Sequence, residues 1–392
     1  MGSNAMNGFG HGHTGLRAHA RTDLLQFTHE APDRLRIAQV APLVESVPPT
    51  QYGGTERVVA YLCEALQEAG HDVTLFASGD SGARVRRVAC CPRALRGQQA
   101  SCDPHVWSAL QFQAVLDRAD EFDIVHFHSG YLHFPLRDAM PPQVTTLHGR
   151  LDFDPPQFYA RYPRTPLVSI SEAQRAPWPQ ANWVRTVHHG LPRDLLRPGP
   201  GDGGYVAFVG RISPEKRVDR AIEIARRAGL PLKIAAKIDP ADAAYVEHAL
   251  QPLLESPGVQ FLGETDERGK QELLAHAAAL LFPIDWPEPF GLVMIEALAC
   301  GTPVIAWRHG SVPEIVQDGR TGFVVDSLDE AVRAVQRLGE IERDDCRRDF
   351  ERRFTAERMA RDYADTYCAL LRERPPRPRR YTAPGAWQTN PL

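Results

Sequence analysis

Residues 282–325, FPIDWPEPFGLVMIEALACGTPVIAWRHGSVPEIVQDGRTGFVV, decide the fold. Glu288 stands in a turn bounded by Pro287 and Pro289, and Glu296 falls on the apolar, helix-forming run that follows, with seven residues between them. Gly291 marks where that helix begins. A helix N-terminus carries unpaired backbone N–H groups and a partial positive charge, so Gly291 and Leu292 are placed to hold a phosphate without a metal. A carboxylate on either side can then grip sugar hydroxyls. Met alone, two glutamates at this spacing would be solvated helix-surface residues. Here a buried-strand run, Gly301 to Ala306, follows at once, and then the turn-rich HGSVPEIVQDGRTGFVV.

Working outward, the 392 residues suit two domains, and 43% hydrophobic content is enough for two cores. A net charge of -4 without a basic stripe argues against nucleic acid as a partner. No run reaches the apolar length of a membrane span, although peripheral membrane contact stays open. Seven cysteines, an odd number without paired metal spacing, read as cytosolic thiols. Basic residues are overwhelmingly arginine; lysine occurs only at Lys216, Lys233, Lys237 and Lys270, so each lysine invites a question. MGSNAM reads as an expression scar, and the Gly- and His-rich segment to about His29, His11 and His13 included, has no hydrophobic period.

Strand-like runs alternate with amphipathic ones. Leu35 to Val40 leads through a Pro- and Gly-rich loop to a helix with Val58, Val59, Leu62 and Leu66 on one face and Thr55 as its expected cap. Gly53 and Gly54, just before that helix, would let backbone approach an anion. Further strands are expected at Val73 to Ala77, Asp123 to His126, Leu167 to Ile170 and Trp183 to Val187, with a helix over Pro104 to Asp120 and Ser171 capping a short one. A second series opens at Tyr205 to Val209 and continues through Leu232 to Ala236, Val259 to Leu262, Leu280 to Phe282, Val304 to Ala306 and Phe323 to Val325. Strand then helix then strand implies parallel sheets with helices on both faces, and ligands at the carboxyl ends of the strands. That rule points to His128 and His148, with His126 packed beneath.

The string PEPFGLVMIEALACGTPVIA, the loop FVGRISPEKRV and the run YGGTERVV resemble the retaining glycosyltransferases of family 4, in the bacterial branch that includes natural-product enzymes. The resemblance covers nearly all of residues 35–371. It implies the α/β GT-B fold, two doubly wound parallel-sheet, Rossmann-like domains facing across a cleft. The expected organisation is an excluded segment 1–32, an acceptor-side domain 33–190, a Pro- and Gly-dense linker 191–204, a nucleotide-sugar domain 205–354, a helix 355–372 returning to the first domain, and a tail 373–392.

By resemblance the activity is transfer of a sugar from a nucleotide sugar, UDP-, GDP-, ADP- or dTDP-linked, to a hydroxyl on a small molecule, glycan or lipid-linked acceptor. Anomeric configuration is retained, and neither metal nor cofactor is required. Arg211 and Lys216 would hold the diphosphate as charge grows on it, with the N–H groups at Gly291 and Leu292. Glu296 would take the ribose hydroxyls and Glu288 would face the sugar, with Phe290 in the donor loop. Gly53, Gly54 and His148 would complete the site from the other domain, and His128 and Lys237 are further candidates. His189 stands where relatives usually carry Asn. Lys237, Asp239 and Asp266 are expected in loops near the base. Asp152 and Asp154 form a D-x-D that reads as loop chemistry without a third metal ligand. Glu288, Arg211, Lys216 and His148 are the expected catalytic set, in the cytoplasm. The competing readings are an epimerase or phosphorylase of the same fold, or a non-catalytic nucleotide-sugar-binding protein.

Overall fold

A computed structural model describes residues 34–50, 53–96, 103–135 and 140–373. Its seven-stranded sheet comprises β1 (Arg36–Val40), β2 (Asp72–Ser78), β3 (Arg86–Cys91), β4 (Ile124–Phe127), β5 (Gln143–Thr146), β6 (Leu167–Ser169) and β7 (Trp183–Thr186), in the order β3-β2-β1-β4-β5-β6-β7. The six-stranded sheet comprises β8 (Val206–Ile212), β9 (Leu232–Ile238), β10 (Val259–Gly263), β11 (Ala279–Phe282), β12 (Val304–Trp307) and β13 (Gly322–Val325), in the order β10-β9-β8-β11-β12-β13. Neighbouring strands are parallel throughout. This is the expected GT-B architecture, and each sheet defines a lobe. Central strands such as IVHF and ALLF are buried on both faces, as parallel sheets covered by helices require.

Strand order reverses between β1 and β4 in one sheet and between β8 and β11 in the other. A crevice opens at the carboxyl ends of such a switch point. The loops leaving β1, β4, β8 and β11 therefore border the cleft between the lobes.

Local expectations need four corrections. The first helix already begins at Gly54, with Gly53 at its cap position and no side-chain cap, so Thr55 lies inside the first turn and does not cap it. The helix expected to Asp120 ends at Asp117 and gives way to a tight turn. Edge strand β3, RRVACC, was hidden by its two arginines, which point to solvent at a sheet edge. Lys237 lies in β9, not in a loop. Ser171 does cap, accepting the Gln174 N–H at 3.0 Å.

The chain crosses between lobes twice, side by side. Leu191 N–H donates to Phe354 O and Ala356 N–H to Leu191 O, at 2.9 and 2.8 Å. Gly190 permits that contact, because a Cβ there would lie 2.2 Å from Thr355 O. Residues 191–204 then lie against the six-stranded lobe. Arg343 holds them, donating to Gly199 O and to the carbonyls of Ala275, Ala277 and Cys300. The helix Ala356–Arg372 returns to the seven-stranded lobe, with Met359, Tyr363, Tyr367 and Leu370 buried as the amphipathic pattern predicts. Residues 1–32, including His11 and His13, together with Cys102 and the tail from residue 374, lie outside the described residues. Among the described residues no helix is long and apolar enough to cross a membrane.

Candidate active site

A cleft of about 920 Å³ opens between the lobes. Gly53, Gly54, His148, Arg211, Lys216, Lys237, Glu288, Phe290, Gly291, Leu292 and Glu296 all line it. His128 lines a second cavity of about 180 Å³, with Tyr131 and Arg150, and His148 borders both spaces.

The start of the helix Gly54–Glu68 faces the start of the helix Leu292–Ala299 across this cleft. A Cβ on Gly54 would sit 3.6 Å from the Leu292 side chain. Gly291 caps the second helix at φ 80, in the left-handed region, where a Cβ would press within 2.8 Å of Met294. Two positive helix ends, one from each lobe, thus converge on one space.

Neighbouring strands β8 and β11 explain how Lys216 reaches Glu288. Their exit loops are joined by the Asp285 N–H donating to Glu215 O at 2.8 Å. Lys216 forms an ion pair with Glu288 Oε2, and the Trp286 indole N–H donates to the same oxygen at 2.9 Å. The ammonium also sits 4.5 Å from the Trp286 ring centroid. Glu288, 8% exposed, and Glu296, 5% exposed, are not solvated surface residues. Lys270 holds Glu296 Oε1 at 2.5 Å. Arg211, within β8, pairs with Glu215 at 2.7 Å and approaches Asp242 at 3.8 Å.

The loop that carries Glu288, Pro289 and Phe290 is pinned from both sides. Ser171 Oγ donates to Pro289 O at 2.6 Å from the opposite lobe, and Ser311 Oγ donates to Phe290 O at 2.7 Å. The Phe290 ring is buried against His189 and Phe354, so its side chain holds the loop from beneath. Glu314 completes a clasp between lobes by accepting the Glu172 and Ala173 N–H groups at 2.8 and 2.7 Å.

The histidines form a connected layer under the site. His128 Nε2 lies 2.7 Å from Gln39 Oε1, and its Nδ1 lies 2.9 Å from His148 Nε2. His126, fully buried, contacts Tyr367 OH and Thr146 Oγ1, each at 2.7 Å. His189 stacks on His148 at 5.3 Å between centroids. Burial pushes the His148 pKa down to about 3 and holds His126, His128 and His189 well below the usual histidine value.

Several expected candidates fall elsewhere. Asp152 pairs with Arg150, and Asp154 accepts from Tyr131 and Tyr159. Asp239 caps a short turn through the Ala241 N–H, whereas Asp266 caps the helix Glu267–His276 through the Gly269 N–H and does line the cleft. No group of three or more His, Cys, Asp or Glu side chains able to hold a metal occurs among the described residues. Gln39, Arg57, Lys270, Trp286 and Glu314 were not assigned from sequence. The scarcity of lysine was a usable signal for Lys270 alone.

Residues 52–197 match the model described as glycosyltransferase family 4, and residues 198–356 match the one described as glycosyl transferases group 1. The chain belongs to the family 4 glycosyltransferases. Its matches among curated relatives concern a part of their length. The D-inositol 3-phosphate glycosyltransferase of Mycobacterium leprae (strain Br4923) is 35% identical over 176 residues, 41% of this chain and 39% of that protein. The alpha-maltose-1-phosphate synthase of Mycolicibacterium smegmatis is 38% identical over 138 residues, 34% of each chain. Matched segments therefore span less than half of these relatives.

Solved structures match over most of this chain and nearly all of their own. AviGT4, a glycosyltransferase involved in avilamycin A biosynthesis, superposes with a TM-score of 0.68 at 25% identity, covering 87% of this chain and 99% of its own. Sucrose-phosphate synthase from Thermosynechococcus elongatus gives 0.71 at 21% identity over 86% and 99%. Anabaena HepE in complex with UDP-glucose gives 0.64 at 18% identity over 86% and 100%. The last two establish shared fold alone.

Proposed function

We propose that this protein transfers a sugar from a nucleotide sugar to a hydroxyl acceptor, with retention of anomeric configuration and without a metal. The observation that carries the reading is the meeting of two helix N-termini, at Gly54 and Leu292, with Arg211 and Lys216 in one cleft. That field suits a diphosphate, which gains negative charge as it departs. Glu296 takes the ribose hydroxyls, Glu288 faces the sugar, and Lys237 borders the base. UDP-glucose is the first donor to try, because a fold neighbour binds it. The acceptor enters by the smaller cavity beside His148, Tyr131 and Arg150. A natural-product acceptor is favoured by the likeness to AviGT4.

The chemistry is front-face substitution. The bond from anomeric carbon to phosphate oxygen breaks, the acceptor oxygen bonds to the same face, and its proton passes to a leaving-phosphate oxygen. Glu288 is held by Lys216 and Trp286, which favours positioning over nucleophilic attack. In this reading residues 33–190 act on the acceptor side and 205–354 on the donor side, with residues 191–204 between them. Free thiols at Cys63, Cys90, Cys91, Cys300, Cys346 and Cys368 favour a cytoplasmic setting.

The test is transfer from an α-linked UDP-glucose to a panel of hydroxyl acceptors, followed by NMR of the product. An α-glycoside supports the proposal. A β-glycoside, a donor epimer formed without acceptor, or sugar phosphate formed only with added phosphate would each replace it.

A further inference from the structure

Four of the 45 basic residues are lysines, and one of them, Lys270, stands between two carboxylates in the cleft. Its Nζ lies 2.5 Å from Glu296 Oε1 and 3.1 Å from Glu267 Oε1. Arg57, on the helix Gly54–Glu68 of the opposite lobe, reaches the same Glu267 oxygen at 2.5 Å. The result is a row of alternating charge, Glu296, Lys270, Glu267, Arg57, that crosses from the donor side of the cleft to the facing lobe.

Burial works to lower the Lys270 pKa, and Glu296 and Glu267 more than offset it, so the ammonium is held charged. The side chains of Lys270 and Glu296 are 12% and 7% exposed, where charge–charge contacts are less screened than at the surface. One oxygen of Glu296 is engaged by Lys270. Glu267 Oε2 is buried and has no hydrogen-bond partner. A carboxylate fixed at one oxygen presents the other in a set direction, which is what recognition of a vicinal diol requires.

We propose that Lys270 is a positioning residue for the donor's ribose. It fixes Glu296 so that the free oxygen meets the ribose hydroxyls, and through Glu267 it ties that grip to Arg57 of the seven-stranded lobe. Ribose recognition then depends on a side chain of the seven-stranded lobe as well as on the lobe that carries Glu296. The inference rests on the reading that Glu296 takes the ribose of a nucleotide sugar. It goes beyond that reading in naming what sets the carboxylate and what couples it across the cleft.

The experiment titrates the full chain by calorimetry with UDP-glucose and with its 2′-deoxyribose analogue. Wild type, Glu296→Ala, Lys270→Met, Arg57→Met and the Lys270→Met/Arg57→Met double variant are compared. Wild type should prefer the ribose form by roughly tenfold or more, the scale of a charge-assisted hydrogen bond. Lys270→Met should bring that ratio near one, as Glu296→Ala does. Arg57→Met should lower it partly, and the double variant should match Lys270→Met alone. General loosening of the fold would weaken both ligands alike and leave the ratio intact, which would overturn the proposal. So would independent, multiplying effects of the two substitutions. If Glu296→Ala abolishes the preference and Lys270→Met keeps it, the donor site stands and this inference falls. If wild type binds neither ligand, the donor reading itself fails and takes the inference with it.

Discussion

His128 and His148 share one hydrogen bond, Nδ1 to Nε2 at 2.9 Å, and it fixes which nitrogen of His148 carries a proton. The Gln39 carboxamide oxygen, 2.7 Å from His128 Nε2, can only accept, so His128 donates there and its Nδ1 is an acceptor. His148 must then donate from Nε2. Its Nδ1, buried and without a partner, is left as a bare lone pair.

Replacing Gln39 by Leu removes the group that sets this order. Transfer should fall by roughly 10- to 100-fold, the cost of leaving a buried polar group unpaired, while donor binding stays near wild type. Gln39→Glu, which still accepts from His128, should recover much of the loss. Steady-state kinetics would show it as a change in kcat without a matching change in donor KM. Equal losses in both variants would contradict the assignment.

The buried histidines also set the acid limit of the fold. His133, fully buried, has its pKa pushed down to about 3 by burial, as does His148. Between about 3 and the unfolded value near 6.5, the unfolded chain binds more protons than the native one. This contribution to stability is therefore complete above about 6.5 and is lost as pH falls. For His133 the slope is at most about 1.4 kcal/mol per pH unit. Urea midpoints should already fall between pH 7 and 5, and a flat profile there would show these side chains to be more open to water.

Lys216→Met should reduce turnover by roughly 100-fold, since it removes a positive group from the proposed diphosphate site and leaves Glu288 buried without its counter-charge. Glu288→Gln still accepts from Lys216 and Trp286, so its protein should melt closer to wild type. A Lys216 variant with full activity would remove this residue from the mechanism.

Gly190→Ala places a methyl group 2.2 Å from the Thr355 carbonyl where the chain crosses between lobes. Overpacking of this kind costs about 1–3 kcal/mol. A drop in melting temperature should accompany it, and an unchanged melt would mean that the two crossings are free to part.

Much of this was legible in the sequence because it depended on local pattern. The alternation of apolar strand and amphipathic helix gave both sheets, and Gly291 marked a helix start that only a left-handed residue fits. Glu288, Glu296, Arg211 and Lys216 stood beside recognisable turns. What escaped depends on pairing across distance. Nothing near Gln39 announces Tyr367 and His128, and nothing near Arg57 announces Glu267, 210 positions away. Strand β3 escaped because it lies at a sheet edge, where only Cys90 and Cys91 of RRVACC are buried and no apolar alternation is left to read.

The most direct test of the donor site is a thermal-shift panel of UDP-, GDP-, ADP- and dTDP-sugars, with and without magnesium, on wild type and Glu296→Ala. A bound donor raises the midpoint by mass action. The account predicts a shift with one nucleotide class, equal with chelator and with magnesium, and reduced in the variant. A shift that requires magnesium, or none with any nucleotide sugar, would contradict it.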